Sequence, residues 1–261
     1  MKNPQVWFVG AGPGDPELMT LKAARLVGEA DLVLYAGSLV PKACVAHAAK
    51  EARVLDSSGM TLEETHALLR DCVASGGMAA RVHTGDPGLF GAVREQMALL
   101  DRDAIPYGVV PGVSASFAAA AAARVSLTVP EVVQCFGIAR LEGRTPVPEG
   151  QRVRDLAGHG SLAVYLSGAE SFRLTEELRE AGLPGDTPVL IAHRVGWPGE
   201  TLLWSTAAGV SALMAEHAAR GELTRQTLFL VLPGEKTAGT VSRLYDGGFH
   251  HGFRPDVKNQ P

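Results

Sequence analysis

Three short stretches carry residue types suited to holding a small polar ligand. One reads Val82-His83-Thr84-Gly85-Asp86-Pro87-Gly88-Leu89-Phe90-Gly91. The others read Val9-Gly10-Ala11-Gly12-Pro13-Gly14-Asp15 and Pro111-Gly112-Val113-Ser114-Ala115. Each follows a short apolar run and precedes a segment with helical apolar spacing. Backbone-rich turns at strand ends are where α/β proteins hold small polar ligands. Gly85 permits close backbone approach, Asp86 accepts from hydroxyls or an ammonium, and Pro87 stiffens the turn. Ser114 suits a helix N-cap, yet its hydroxyl and the nearby N–H groups also suit a nucleoside. Taken singly, each stretch also fits a plain turn before a helix.

The glycine loop invites a dinucleotide reading that its spacing opposes. That fingerprint needs a third small residue three positions after the second glycine, where this chain has Asp15. A carboxylate there repels a pyrophosphate, and Pro13 lacks an N–H to offer a phosphate.

The elements that must position these stretches alternate from the start. Apolar runs predict strands over 6–9, 32–35, 53–55, 79–83 and 107–110. Between them, helices are predicted over 16–29, 42–51, 61–75 and 92–101. Asp15 with Pro16 marks one helix start, and Thr61 with Glu64 is spaced as a capping box. Five short strands separated by helices predict a mainly parallel sheet covered on both faces. A helix over 114–123 and a strand-like run over 131–138 follow. A Gly/Pro-rich loop then runs over 140–150. The strand–helix rhythm resumes with strands over 162–166, 189–193, 201–204 and 227–232, and helices over 172–181 and 207–220. The reading is α/β in two domains, 1–112 and 113–245, with a loosely held tail over 246–261.

Composition narrows the classes. The chain has 261 residues, 46% of them apolar, and a formal net charge of −4, with a pI near 6.1. That balance gives no electrostatic reason to expect nucleic acid. No run approaches the roughly 20 apolar residues of a membrane span, and the start lacks a signal-peptide pattern. Cys44, Cys72 and Cys135 are odd in number and far apart, so no metal site is expected and reduced thiols in a cytoplasmic enzyme are.

Several motifs in one order carry a family likeness. Val9 through Leu18, then Gly85-Asp86-Pro87, then Pro111 through Ala115, then Tyr165-Leu166 resemble the tetrapyrrole (corrin/porphyrin) methylase superfamily. Leu34-Tyr35-Ala36-Gly37-Ser38-Leu39-Val40, Thr128-Val129-Pro130-Glu131 and Glu142 through Pro148 resemble its precorrin-4 branch. The likeness spans about 6–232. It implies two α/β domains with the cofactor cleft between them, and a homodimer. It implies S-adenosylmethionine as methyl donor and S-adenosylhomocysteine as product. The implied reaction is methylation of precorrin-4 at C11, giving precorrin-5 on the way to the corrin ring of cobalamin. Cobalt-precorrin-4 is an open alternative substrate, as is another tetrapyrrole; a non-catalytic tetrapyrrole carrier is the rival class.

By the same resemblance the cofactor touches Pro13, Thr84, Gly85, Asp86, Leu89, Ser114, Ala115, Tyr165, Leu166, Arg194 and Thr227. Gly12, Gly14, Ser38, Arg140 and Arg144 fall on the substrate side. Arginines suit the acetate and propionate arms of a tetrapyrrole, because the planar fork takes both oxygens; Lys42 and Arg194 are further candidates. Trp197, between Gly196 and Pro198, either covers a macrocycle or anchors a loop. One run departs from the family pattern: Gln134-Cys135-Phe136-Gly137-Ile138-Ala139-Arg140 puts glycine where a strand is weakened by it and alanine where a hydroxyl is expected. A sulfonium methyl is already activated, so no metal and no catalytic triad are expected. Alignment of carbon, methyl and sulfur with exclusion of water is the work. His47, His83 and His193 are the candidates for any base.

Overall fold

The computed structural model describes residues 5–223, 225–236, 242–243 and 248–249. The expected loose tail lies outside the described residues, apart from 248–249. The chain divides into two compact units, Met1–Ala119 with Arg194–Thr201, and Ala120–His193 with Leu202–Pro261.

The first unit is built on β1 (Val6–Gly10), β2 (Leu32–Tyr35), β3 (Arg53–Asp56), β4 (Ala79–His83) and β5 (Tyr107–Val110). They form one sheet in the order β3-β2-β4-β1-β5, all neighbours parallel. Strand side chains alternate between faces. Val9, Val33, Ala80, Val82 and Val110 pack on Ala23, Leu26 and Val27 of α1 (Leu21–Glu29). Val6, Phe8, Leu32, Leu34 and Ala79 pack on Leu69 of α2 (Leu62–Ala74) and Leu100 of α3 (Val93–Arg102). The parallel sheet with both faces covered, expected from the strand runs, is therefore present. From β1 the chain crosses the first face through α1. From the neighbouring β4 it crosses the second through α3. Adjacent strands with connections on opposite faces make a topological switch point, where open α/β sheets bind ligands beyond the strand ends.

Two expected helices are corrected. The segment 16–29 is a 3-10 turn, Pro16–Leu18, followed by α1. Each has its own cap: Asp15 Oδ1 accepts from Glu17 N at 2.9 Å, and Thr20 Oγ1 from Ala23 N at 3.1 Å. The second cap ends the first turn and restarts the chain. The segment 42–51 is helical only as a 3-10 turn over Lys42–Val45. Within it only Cys44 and Val45 are buried, too little apolar stripe to propagate a helix. The capping box does form, with Thr61 N donating to Glu64 Oε2 and Glu64 N to Thr61 Oγ1.

The second unit begins within α4 (Ala115–Ala123). Its sheet contains β6 (Phe136–Arg140), β7 (Ser161–Tyr165), β8 (Pro188–His193), β9 (Thr201–Thr206) and β10 (Thr227–Val231), in the order β6-β7-β10-β8-β9. Here β6 and β7 are parallel, while β10 runs antiparallel to both β7 and β8. α5 (Val153–Leu156), α6 (Ser171–Glu180) and α7 (Val210–Ala219) complete it. Phe229, Ile191, Leu174, Leu178 and Met214 lie in its core. The strand expected over 131–138 begins only at Phe136. Val129 and Val133 exchange both backbone hydrogen bonds at 2.8 Å, and Glu131 between them has φ 64°, so a tight turn overrides the β-favouring valines.

Candidate active site

Three loops of the first unit meet at glycines. A Cβ on Gly112 would lie 2.1 Å from the Gly85 carbonyl oxygen and 2.9 Å from Gly10 Cα. A Cβ on Gly10 would lie 2.6 Å from Gly112 Cα. Backbone meets backbone here, and only glycine allows it. Gly85 N donates to Gly12 O at 2.7 Å, and Gly12 N to Gly85 O at 3.3 Å. Asp86 completes the junction: Oδ1 accepts from Gly88 N at 2.8 Å and Oδ2 from Gly112 N at 3.0 Å. The carboxylate thus clamps the β4 loop to the β5 loop with charge-assisted bonds. A Cβ on Gly85 (φ 58°) would meet Ser114 Cα and Val113 O at 3.9 Å, ordinary contact distance. Thr84 and Leu89 are half-buried beside it, Ser114 is buried and Ala115 half-buried.

The glycine loop is held from two further sides. Trp197 Nε1 donates to Pro13 O at 3.0 Å, and a Cβ on Gly14 would lie 2.2 Å from Trp197 Cδ1. Gly14 therefore packs under the indole, and a Cβ on Gly12 (φ 72°) would lie 3.0 Å from Leu18 O. Of the two readings of Trp197, the loop anchor is the one this geometry supplies. The Arg194 guanidinium lies over the same ring, 5.5 Å from its centroid. Arg194 has φ 52°, and its Nε is buried without a hydrogen-bond partner. From the other side Cys44 Sγ donates to Gly14 O at 3.4 Å. Burial, with the Asp15 charge adding, pushes that thiol up to about 11.

The loop over 36–40 is fixed by a residue that no sequence motif marked. Asp56, at the end of β3, accepts from Ser58 N at 2.8 Å and Gly37 N at 2.9 Å through Oδ1. These backbone donors, Ser58 first, hold its carboxyl below the ordinary range. A Cβ on Gly37 would sit 2.3 Å from Asp56 Oδ2. Ser38 is presented exposed at the turn, and Lys42 is exposed after it. Of the histidines, His47 is exposed. His83 is buried, and burial, then the Arg81 charge, pulls it down to about 3, which suits it poorly as a base. His193 Nδ1 lies 3.1 Å from Thr227 Oγ1.

In the second sheet, register collects the expected residues at one end. Arg140 pairs with Tyr165, and Thr227 pairs with His193. Because β10 is antiparallel, its first residues lie beside the last residues of β7 and β8. Leu166 (φ 56°) follows β7, Arg194 (φ 52°) follows β8 and Gln226 (φ 55°) precedes β10. Left-handed backbone at three non-glycine residues is costly, and no feature of their types foretold it. Leu166 is 68% exposed. Thr227 Oγ1 donates to Leu223 O at 2.8 Å. Ser167, also unforeseen, donates to Tyr165 O and accepts from Leu141 N, tying the β7 turn to the end of β6.

The loop after β6 is preorganised by its own arginines. Arg140 donates to the carbonyls of Leu141, Thr145 and Pro146 at 3.2, 3.1 and 2.7 Å. Arg173 donates to Glu142 O and pairs with its carboxylate at 3.1 Å. Most of Arg140's donor capacity thus serves the loop, while Arg144 is exposed on it. Ala139 is 5% exposed within the core, and a Cβ on Gly137 would meet Leu162 Cδ1 at 2.9 Å. A hydroxyl at 139 would be buried among apolar groups. The departure over 134–140 is therefore a packing adjustment at these two positions.

Comparison with known proteins agrees with this layout. Residues 5–210 match the family described as Tetrapyrrole (Corrin/Porphyrin) Methylases. A precorrin-4 C(11)-methyltransferase of Pseudomonas aeruginosa is 40% identical over 257 residues, covering 96% of this chain and 98% of that protein. The crystal structure of a cobalamin biosynthetic enzyme, cobalt precorrin-4 methyltransferase, superposes with a TM-score of 0.83 at 41% identity, covering 87% of this chain and 94% of that one. A uroporphyrin-III C-methyltransferase from Thermus thermophilus, solved with S-adenosylhomocysteine, gives 0.72 at 28% identity, covering 87% and 97%. With its switch-point glycine junction and a match over most of its length, the chain belongs to the tetrapyrrole (corrin/porphyrin) methylases.

Proposed function

We propose that this chain methylates C11 of precorrin-4, using S-adenosylmethionine, in the building of the corrin ring. The observation that carries the reading is the junction of Gly10, Gly85 and Gly112 at the switch point, with Val113 and Ser114 beside Gly85. Such a backbone-walled recess suits a nucleoside, whose edges need N–H and C=O partners more than side chains. The identity of 40% with a precorrin-4 C(11)-methyltransferase over nearly the whole chain supports the substrate.

The donor, when bound, supplies a methyl group already activated on sulfonium. Thr84, Gly85, Asp86, Leu89, Ser114 and Ala115 hold it in this reading, with Pro13, Tyr165, Leu166, Arg194 and Thr227. Asp86 keeps the recess in shape through its two backbone donors and does not act as a base. Gly12 and Gly14 set the path of the first loop, and Ser38 and Arg144 meet the substrate arms. Orientation and exclusion of water are then the chief contributions to rate.

Incubation with enzymatically made precorrin-4 and methyl-labelled S-adenosylmethionine tests this. One methyl gained, located at C11 by NMR, is the expected result. Transfer only to cobalt-precorrin-4 assigns the metal-bearing substrate, which the relative of 41% identity favours. No transfer to either substrate rejects the reading. A homodimer and a cytoplasmic setting belong to the same proposal, and light scattering tests the first. Among the described residues no helix is long and apolar enough to cross a membrane.

A further inference from the structure

Beneath the β4 loop lies a polar network that the cofactor residues do not use. Arg81 is 8% exposed in the sheet, and no carboxylate among the described residues pairs with it. Its Nε donates to Gln96 Oε1 at 3.0 Å, and its Nη1 to Ser57 Oγ at 2.8 Å and Leu34 O at 3.3 Å. Gln96, 7% exposed, passes the contact on: its Nε2 donates to Ala92 O at 3.0 Å. His83, 6% exposed on the same strand, keeps its Nε2 buried without a partner and stands outside this chain of bonds.

The Ala92 carbonyl belongs to a strained turn. Phe90 has φ 53° and Ala92 φ 47°, and a Cβ on Gly91 would lie 2.3 Å from Pro87 O. Ala104 and Arg124, also left-handed, each fall just past a helix end, where that conformation caps the helix. Phe90 and Ala92 instead precede a helix, so capping of a preceding helix does not account for them. A buried guanidinium without a carboxylate is costly, and a polar network is tolerated when each member is engaged. Here Arg81 and Gln96 lead to the Ala92 carbonyl, and the turn presents Phe90 46% exposed. Gly85 is held to Gly12 and Asp86 to Gly112, and Asp86 also accepts from Gly88 N and Leu89 N. Those bonds reach as far as Leu89, whereas the Gln96 bond holds the turn at Ala92.

We propose that Arg81 and Gln96 are positioning residues that lock the turn over 90–92, and that Phe90 on this turn is a specificity contact for the flat face of the tetrapyrrole. An aromatic ring suits an extended unsaturated macrocycle. The proposal rests on the methyl-transfer reading above.

Gln96→Glu separates positioning from folding. Glutamate still accepts from Arg81 and pairs with its charge, so the melting temperature holds or rises. Its second oxygen opposes the Ala92 carbonyl and releases the turn. Expected are faster hydrogen exchange at the 91–92 amides, S-adenosylhomocysteine affinity within about twofold, and a tetrapyrrole KM raised about tenfold, the worth of one hydrogen bond. Phe90→Ala should raise KM similarly without changing the melting temperature, and Phe90→Tyr should restore it. An unchanged KM in Gln96→Glu alongside accelerated exchange overturns the role of the turn. Equal losses of S-adenosylhomocysteine affinity and KM in Phe90→Ala assign Phe90 to the cofactor and overturn its substrate role. Absence of transfer by the unsubstituted enzyme is distinguishable from both, because it rejects the functional reading itself.

Discussion

The C-terminal end of the first sheet and the β7–β10–β8 end of the second make tight turns by opposite means. In the first, Gly10, Gly85 and Gly112 bring three backbones together where a side chain has no room. In the second, Leu166, Arg194 and Gln226 take left-handed backbone while keeping their side chains. Absence of side chains is the purpose in one place. In the other, an exposed leucine and an arginine are kept despite a conformation that glycine would adopt freely. Strain retained at adjacent sheet positions points to what those side chains do rather than to the turn itself.

The largest test replaces Gly112 by alanine. Its Cβ would fall 2.1 Å from a carbonyl oxygen, and neither backbone can give without moving a second loop. Thermal unfolding should show a loss of about 3 kcal/mol, the upper range of overpacking, and calorimetry should find S-adenosylhomocysteine binding lost. Gly85→Ala has a positive φ but room for a methyl at ordinary contact distance, so strain alone should cost about 1–2 kcal/mol. Equal penalties at the two positions would break the distinction between closeness and conformation.

Acid should reveal the next effect, again in the first unit. Burial pulls His83 down to about 3, whereas the unfolded chain has an ordinary imidazole. Below the unfolded value the unfolded state takes a proton that the native state refuses. Stability is therefore full above pH 6.5 and falls as pH drops from there toward 3. Between pH 7 and pH 5 this one group should remove about 2 kcal/mol. His83→Gln should flatten that slope in urea titrations at the two pH values. A slope unchanged by the substitution would place the acid sensitivity elsewhere.

Much of the first region was legible because its constraints are written in residue types. Glycines ending apolar runs, Asp15 before Pro16, and Thr61 three before Glu64 each have one physical use. The parallel sheet followed from uninterrupted apolar strands. What stayed hidden was nonlocal. Asp56 reaches Gly37 across 19 residues, and Trp197 reaches Pro13 across 184. That Leu166 and Gln226 lie at one end of the sheet depends on antiparallel β10, which periodicity cannot order. Arg140 looked like a free fork for carboxylates, yet local carbonyls occupy it. The helix expected over 42–51 failed for the converse reason: local propensity was read where too little of the segment is buried.

Leu166→Gly sharpens the contrast with a smaller effect of opposite sign. The leucine is mostly exposed, so little burial is lost, and relief of left-handed strain should outweigh the added chain entropy by up to about 1 kcal/mol. The melting temperature should rise slightly while S-adenosylhomocysteine affinity falls. A gain in stability with unchanged affinity would mean that the strain serves no ligand.

The smallest effects separate the two regions by thiol chemistry. Cys44 is buried under the glycine loop of the first unit, and Cys135 is exposed just before β6 in the second. With its thiol pushed up to about 11, Cys44 is about one part in a thousand thiolate at pH 8, and it is shielded as well. Native alkylation with iodoacetamide should modify Cys135 within minutes and Cys44 only as fast as the loop opens. Because Cys44 Sγ contacts Gly14 O, its rate reports on that loop alone. Saturating S-adenosylhomocysteine should slow Cys44 further, since a ligand that binds the closed loop shifts the opening equilibrium by mass action. Cys135 should be unaffected. Protection of Cys44 that the ligand does not deepen would detach the glycine loop from the cofactor. Rapid labelling of both thiols would show that the packing around Gly14 is looser than its contacts with Trp197 imply.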